Sequence, residues 1–356
     1  MRKLLLSTAL TGALITTSAI AQTTVTGNMT VGLRASEEKG AAGATSTASK
    51  RGMLIETQLN MQSKGKLNNG MDYAAGFALE FDGSDVAGTS TSFKSIANEN
   101  AYIDLISGGT TLSFGIDHMN DFDRSMAPKV GEHGAGTGST GGATTATMMM
   151  ADPINTSAAI GVNVRQAFPG FGQITLGYNP TASCSSTDPA GCGGSDTATV
   201  EGNEGSAYSA ILELSNLGIK GLSAEIGYME QQKKVGSTTS PSRDAQFVTA
   251  GVTYTDGPLS IGYNRKEFED GKSTLETKKQ NDFGIAYTVG NISYGAYYQK
   301  VDSNLATKVD ETYKAIAIGY NLGPVAAMVN VGKTTDIGGT AGADYDAITL
   351  KLRTSF

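Results

Sequence analysis

The residues of this chain that could do chemistry are few, and their spacing argues against a catalyst. His118 and His133 are its only histidines, with Asp121 and Asp123 between them. Imidazole and carboxylate together suggest a metal, but this spacing matches no established ligand motif, so no metal and no cofactor is expected. No serine, cysteine or threonine stands in a recognisable nucleophile–base arrangement, so no enzymatic activity is expected. Cys184 and Cys192 bracket seven residues that include Pro189 and Gly191. If the chain is exported to an oxidising compartment they are expected to form a disulfide that staples a tight loop. A reduced pair without a role is the alternative.

What remains is electrostatic. Most of the other charges of interest fall at alternate positions between apolar residues. The acids are Glu56, Asp72, Glu80, Asp104, Asp117, Glu213 and Glu225, and the bases are Arg34, Arg165, Lys351 and Arg353. Side chains two apart in a strand share one face. These charges therefore lie on the face opposite an apolar one, and that face needs water.

The elements that place them are read from period-two patterning. Val25, Gly27, Met29, Val31 and Leu33 alternate with Thr26, Asn28, Thr30, Gly32 and Arg34. Met53, Ile55, Thr57, Leu59 and Met61 alternate with Gly52, Leu54, Glu56, Gln58 and Asn60, Leu54 being the imperfection. The pattern recurs to the C-terminus and gives sixteen candidate strands, the last carrying Ile348, Leu350, Leu352, Thr354 and Phe356 on its apolar face. None of the apolar-face residues is charged. Charge on a lipid-facing strand costs a few kcal/mol near mid-membrane, so this is what a membrane imposes.

The links fall into two classes that alternate strictly. Very short turns recur at Gly108-Gly109, Pro169-Gly170, Asp256-Gly257-Pro258, Gly290-Asn291 and Asn321-Leu322-Gly323. Long polar links lie near 35–50, 83–96, 118–156, 180–205, 230–244, 266–280, 301–311 and 333–344. An up-and-down barrel with one long-loop rim and one short-turn rim explains this sorting, with both chain ends on the short-turn rim. Tyr178, Tyr228, Tyr263 and Tyr298 fall near the long-loop ends of their strands. Tyr254, Tyr320 and Phe356 fall near the other ends, as two interfacial aromatic girdles would.

The start of the chain sets the compartment. Arg2 and Lys3, a mostly apolar stretch from Leu4 to Leu14, and Ala19-Ile20-Ala21 read as a secretory signal over 1–21, leaving 22–356 as one barrel domain. No later run is apolar enough for a spanning helix. With 27 Lys plus Arg against 34 Asp plus Glu the balance is acidic, and it becomes more so once the export segment leaves, which argues against nucleic acid. The same excess predicts a mild cation preference.

On these grounds the chain resembles Gram-negative general porins, the sixteen-stranded trimeric class, nearest the proteobacterial general-diffusion type. The resemblance spans the mature chain. It rests on the signal followed by a strand at Val25–Arg34, on the last strand Ala347–Phe356, and on the long link His118–Thr156. It implies a homotrimer in the outer membrane, in contact with lipid and lipopolysaccharide, that passes small hydrophilic solutes. The terminal Phe356 is similar to the signal that barrel assembly machinery reads.

The link 118–156 resembles the family's third loop, which folds into the lumen with acidic residues facing a basic cluster on the wall. That implies a constriction of Asp117, Asp121, Asp123 and Glu132 against Arg34, Arg165, Lys351 and Arg353, with Glu56, Asp72, Glu80, Asp104, Glu213 and Glu225 elsewhere on the lumen face. Arg124, Lys129 and Asp152 also belong to this loop. Its centre departs from the family pattern, because 134–147 is almost all Gly, Ala, Thr and Ser and is followed by Met148-Met149-Met150. The alternatives are a flexible external loop, a substrate-selective channel for sugar, phosphate or organic acid, and a structural or adhesive barrel. A selective channel would show an aromatic ladder or a dense basic cluster. Tyr102 and Tyr297 are inward by parity, yet they form no obvious ladder.

Overall fold

The computed structural model describes residues 22–40, 47–86, 97–116, 125–130, 161–183, 204–215, 217–231, 244–269 and 276–356. Residues 1–21, where an export signal is expected, both cysteines, both histidines, and Asp117, Asp121, Asp123 and Glu132 lie outside the described residues.

Sixteen strands form one closed antiparallel ring in which each pairs with its sequence neighbours and the last pairs with the first. They are β1 (Gln22–Lys39), β2 (Thr47–Lys66), β3 (Asp72–Val86), β4 (Ala97–Ser107) and β5 (Thr110–Ile116). Next come β6 (Gly161–Phe168), β7 (Gly172–Ser183), β8 (Glu204–Ser215), β9 (Leu222–Gln231), β10 (Ala245–Asp256) and β11 (Leu259–Glu269). The ring ends with β12 (Thr277–Val289), β13 (Ile292–Ser303), β14 (Glu311–Asn321), β15 (Val325–Thr335) and β16 (Asp344–Ser355). Closure leaves no sheet edge, so the backbone groups of the wall find partners around the ring where hydrocarbon could offer none. Among the described residues no helix is long and apolar enough to cross a membrane.

Each candidate strand is present with the expected alternation of faces, although Ala158 and Ile160 of the sixth lie outside the described residues, and several run further than the apolar pattern marks. β1 and β2 extend to Lys39 and from Thr47, so the first long link shrinks to 40–46. Cross-strand hydrogen bonds carry a strand past the lipid band into polar sequence, where an apolar pattern gives no signal.

The two faces differ sharply. On β14, Ile316 is 64% exposed while its neighbours Ala315 and Ala317 are 5% and 4% exposed. Leu33, Ile103, Ile226, Ile318, Ile348 and Leu352 are similarly open on the outside. In water so many exposed apolar residues would be a liability; around a barrel they are the lipid-contacting band. Tyr178 and Tyr208 pair at 5.1 Å between ring centroids near the long-loop ends of β7 and β8.

The inner face is not uniformly polar, which differs from the wet wall that the alternation predicts. Ile211, Met229, Phe247 and Phe268, from β8 to β11, are buried together. Tyr297, Val301, Tyr313 and Tyr345, from β13, β14 and β16, form a second buried group with Ile337 and Ala343 of the last long loop. That loop folds over its strands. Gly338 N donates to Glu311 Oε2 (2.9 Å), Val309 N donates to Gly339 O (3.0 Å), and Lys308 Nζ donates to Gly338 O (2.9 Å). Tyr313 and Tyr345 thus pack under this loop rather than face water.

Candidate functional site

The inner-wall charges are arranged by ring order. Arg34 lies on β1, and Lys351 and Arg353 lie on β16, which pairs with β1 through Gly32–Lys351 and Thr30–Arg353. Glu213 on β8 and Glu225 on β9 are direct register partners. In a closed ring of sixteen, β8 and β9 stand half a turn from β16 and β1. One wall therefore carries guanidinium and ammonium groups and the facing wall carries carboxylates.

The remaining charges are distributed around that axis. Gln173 Nε2 donates to Glu213, and Glu225 is buried. Arg165, on β6, donates from Nε to Thr175 Oγ1 at 3.2 Å, which puts it on the carboxylate side rather than beside Lys351. Glu56 and Glu80 are inward by parity on β2 and β3, opposite Thr30 and Gln58. Asp104 is buried on β4, opposite Ala74 and Ser113. Asp72 sits at the short-turn rim, where Lys66 Nζ approaches its Oδ1 to 2.6 Å in an exposed pair. Gln62 donates to the hydroxyl of Tyr102, whose ring covers Gly76 on the neighbouring strand.

The described part of the long link between β5 and β6, residues 125–130, lies against the inner wall from β10 to β14. Met126 N donates to Asn264 Oδ1 (3.4 Å), and Thr253 Oγ1 donates to Met126 O. Ala127 N donates to Ser125 Oγ (3.3 Å), which tightens the bend. Lys129 Nζ stands 4.8 Å from the centre of the Tyr297 ring, a cation–π contact.

The wall under this segment is made of glycines. A Cβ on Gly251 would come within 2.6 Å of Met126 Cβ, and one on Gly295 within 2.7 Å of Val130 Cβ. A Cβ on Gly262 would meet Met126 O and Pro128 Cδ, and one on Gly284 would meet the backbone of Pro128. On Gly319 it would sit 3.6 Å from Val130 Cγ1. Five consecutive strands each place a glycine where the segment passes, so it can lie flush on the sheet. Sequence reasoning missed this cradle, although a signal existed. A glycine inside a strand often marks close approach of another backbone, and these five share the inward parity. In the sequence Lys129 is one loop charge among several, and its place against Tyr297 depends on this docking.

Below the segment, toward the short-turn rim, is a cavity of 540 Å³ lined by Lys129, Val130, Gly319, Asn321, Arg353 and Ser355 among others. Among the described residues no group of three or more His, Cys, Asp or Glu could hold a metal.

A closed sixteen-stranded ring, apolar outside and bearing opposed charges within, defines a membrane-spanning β-barrel channel. Residues 7–353 match the Gram-negative porin family, and the chain belongs to it. It is accordingly a channel of the Gram-negative outer membrane, not an enzyme. It works in contact with outer-membrane lipid and small solutes. The anion-selective porin of Comamonas acidovorans is similar in structure, with a TM-score of 0.64 and 14% identity over 94% of this chain and all of that one. A triple mutant of the Rhodopseudomonas blastica porin gives 0.54 and 17% over the same shares. No curated protein matches the chain.

Proposed function

We propose that this porin is a general-diffusion channel that passes small hydrophilic solutes and ions through a water-filled pore with a charged waist. The observation that carries the reading is the opposition of Arg34, Lys351 and Arg353 on β1 and β16 to Glu213 and Glu225 on β8 and β9. Charges on facing walls set up a field across the pore. A hydrated polar solute can orient in that field, whereas an apolar one must displace ordered water. The segment 125–130 on the inner wall supports a waist to which the acids Asp117, Asp121, Asp123 and Glu132 of the same link contribute. Arg165, placed among the carboxylates, serves as a local counter-charge there.

In this reading residues 1–21 direct export, the mature barrel assembles as a trimer, and its terminal strand is read by the assembly machinery. A planar bilayer tests the function. Purified protein should give large steps of weak ion selectivity whose conductance scales with salt. Silence under all voltages would support an occluded structural barrel instead.

A further inference from the structure

We infer that the last long loop, residues 336–343 between β15 and β16, is a clamp that holds segment 125–130 on the inner wall, with Tyr313 and Tyr297 as the positioning residues between them. The inference rests on the pore reading above in one respect, that this segment borders the waist, and it adds what keeps the segment there.

Three observations carry it. The first is that loop and segment share one buried cluster. Ala127 comes from the segment, and Ile337 and Ala343 come from the loop. Between them stand Tyr297 of β13 and Tyr313 of β14, whose ring centroids are 6.2 Å apart with planes tilted by 56°. That separation and tilt suit an attractive aromatic pair.

The second is the order of contacts. The Lys129 ammonium stands over Tyr297 from the segment side. Tyr313 covers Gly332 of β15, where a Cβ would come within 2.8 Å of its hydroxyl oxygen, so the ring is seated on the wall. The turn that carries Ile337 rests against β14, the strand of Tyr313. A ring wedged in a close-packed cluster cannot turn without moving a neighbour. Movement of the loop is therefore passed through Tyr313 and Tyr297 to the segment.

The third is that the two halves of the segment are held differently. Met126 is tied to β10 and β11, since Asn264 Oδ1 accepts from its N–H and Thr253 Oγ1 donates to its carbonyl. Pro128 and Val130 run over Gly284, Gly295 and Gly319. Glycine lets the chain lie close but offers no side chain to grip it. The shared cluster supplies side-chain contacts on that half, and the loop completes the cluster.

The test uses the mature barrel with Cys184 and Cys192 replaced by serine and one cysteine introduced. That cysteine is Ala127→Cys in the segment or Ala207→Cys in the separate buried cluster of β8 to β11. Modification by a charged methanethiosulfonate is timed in detergent, and open-channel noise is recorded in a planar bilayer. Ile337→Ser, a loop change that leaves the wall intact, should speed modification at position 127 by about tenfold or more and leave position 207 unchanged. Tyr313→Ala should do the same, whereas Tyr313→Phe, which keeps the ring, should not. Open-channel noise should rise in Ile337→Ser and in Tyr313→Ala.

An unchanged rate at position 127 in Ile337→Ser overturns the clamp, and that variant decides alone if Tyr313→Ala fails to fold. Faster modification at both positions reports general loosening and overturns it as well. A barrel that does not conduct, yet exposes position 127 selectively in Ile337→Ser, overturns the channel reading and leaves the clamp standing.

Discussion

Gly27 and Phe356 exchange both backbone hydrogen bonds, at 2.8 and 2.9 Å, and so join the first and last strands at the short-turn rim. The Phe356 ring lies over Gly27, where a Cβ would come within 2.7 Å of it. An aromatic over a cross-strand glycine covers backbone that glycine leaves bare. Gly27→Val should displace the ring and destabilise the closed barrel by about 1–3 kcal/mol. Phe356→Ala in the same chain should recover part of that loss, since the contact with the ring is then gone while the contact with Gln58 O remains. Urea titration read by the heat-sensitive gel mobility of the folded barrel checks this. Strict additivity of the two changes would show that the pair does not interact.

The glycine cradle makes a second claim. Gly284→Val places two methyl groups where the backbone of Pro128 lies, and the wall, paired on both sides, cannot yield. The segment must move into the lumen, so single-channel conductance should fall while the barrel stays folded. Unchanged conductance would mean that residues 125–130 do not help to define the waist.

Much of this was legible in the sequence, for a definite reason. Lipid outside and water inside are written at alternate positions, so parity alone placed Ile348, Leu350 and Leu352 outside and Lys351 between them. Closure and loop order followed from the two link classes. The facing of Lys351 and Glu213 was not legible, because parity says inward but not toward what. That needs the ring order and the strand count together. Nor could parity reveal that Phe247 and Phe268, inward by position, are buried in a cluster with Ile211 and Met229. An apolar residue at a polar position has no partner within its own strand, because its partners lie across the sheet, as Met229 and Phe268 lie across from Phe247.

The opposed walls predict the sign of selectivity changes. Glu213→Gln keeps the shape that meets Gln173 and removes one negative charge, so the zero-current potential in a salt gradient should shift toward anions. Lys351→Gln should shift it toward cations. A unit charge at close approach in water is worth about 1 kcal/mol, so each permeability ratio should change by at most about fivefold. Shifts of the same sign for both variants would remove the basis for a transverse field.

Glu311 holds the last long loop in place. It is fully buried at the start of β14, and its Oε2 accepts the N–H of Gly338 at 2.9 Å. Gly338 belongs to a short turn with positive φ (66°), entered through Asp336, the one non-glycine residue with positive φ among the described residues (57°). Such a turn is strained and persists only where its surroundings hold it. Asp336 Oδ1 accepts from Gly342 N (2.7 Å), so the turn is braced from within, and Glu311 ties it to the wall. A buried hydrogen bond to a charged acceptor is worth about 1.5–3 kcal/mol. Glu311→Ala should lose roughly that much and expose 336–343 to proteolysis, whereas Glu311→Gln, which keeps an acceptor oxygen, should lose less. Because Ile337 and Ala343 pack on Tyr313 and Tyr345, release of the turn also uncovers apolar inner wall near the long-loop rim. Glu311→Ala should therefore bind more of a hydrophobic dye than wild type does, and equal dye binding with equal protease resistance would show that the loop is held without Glu311.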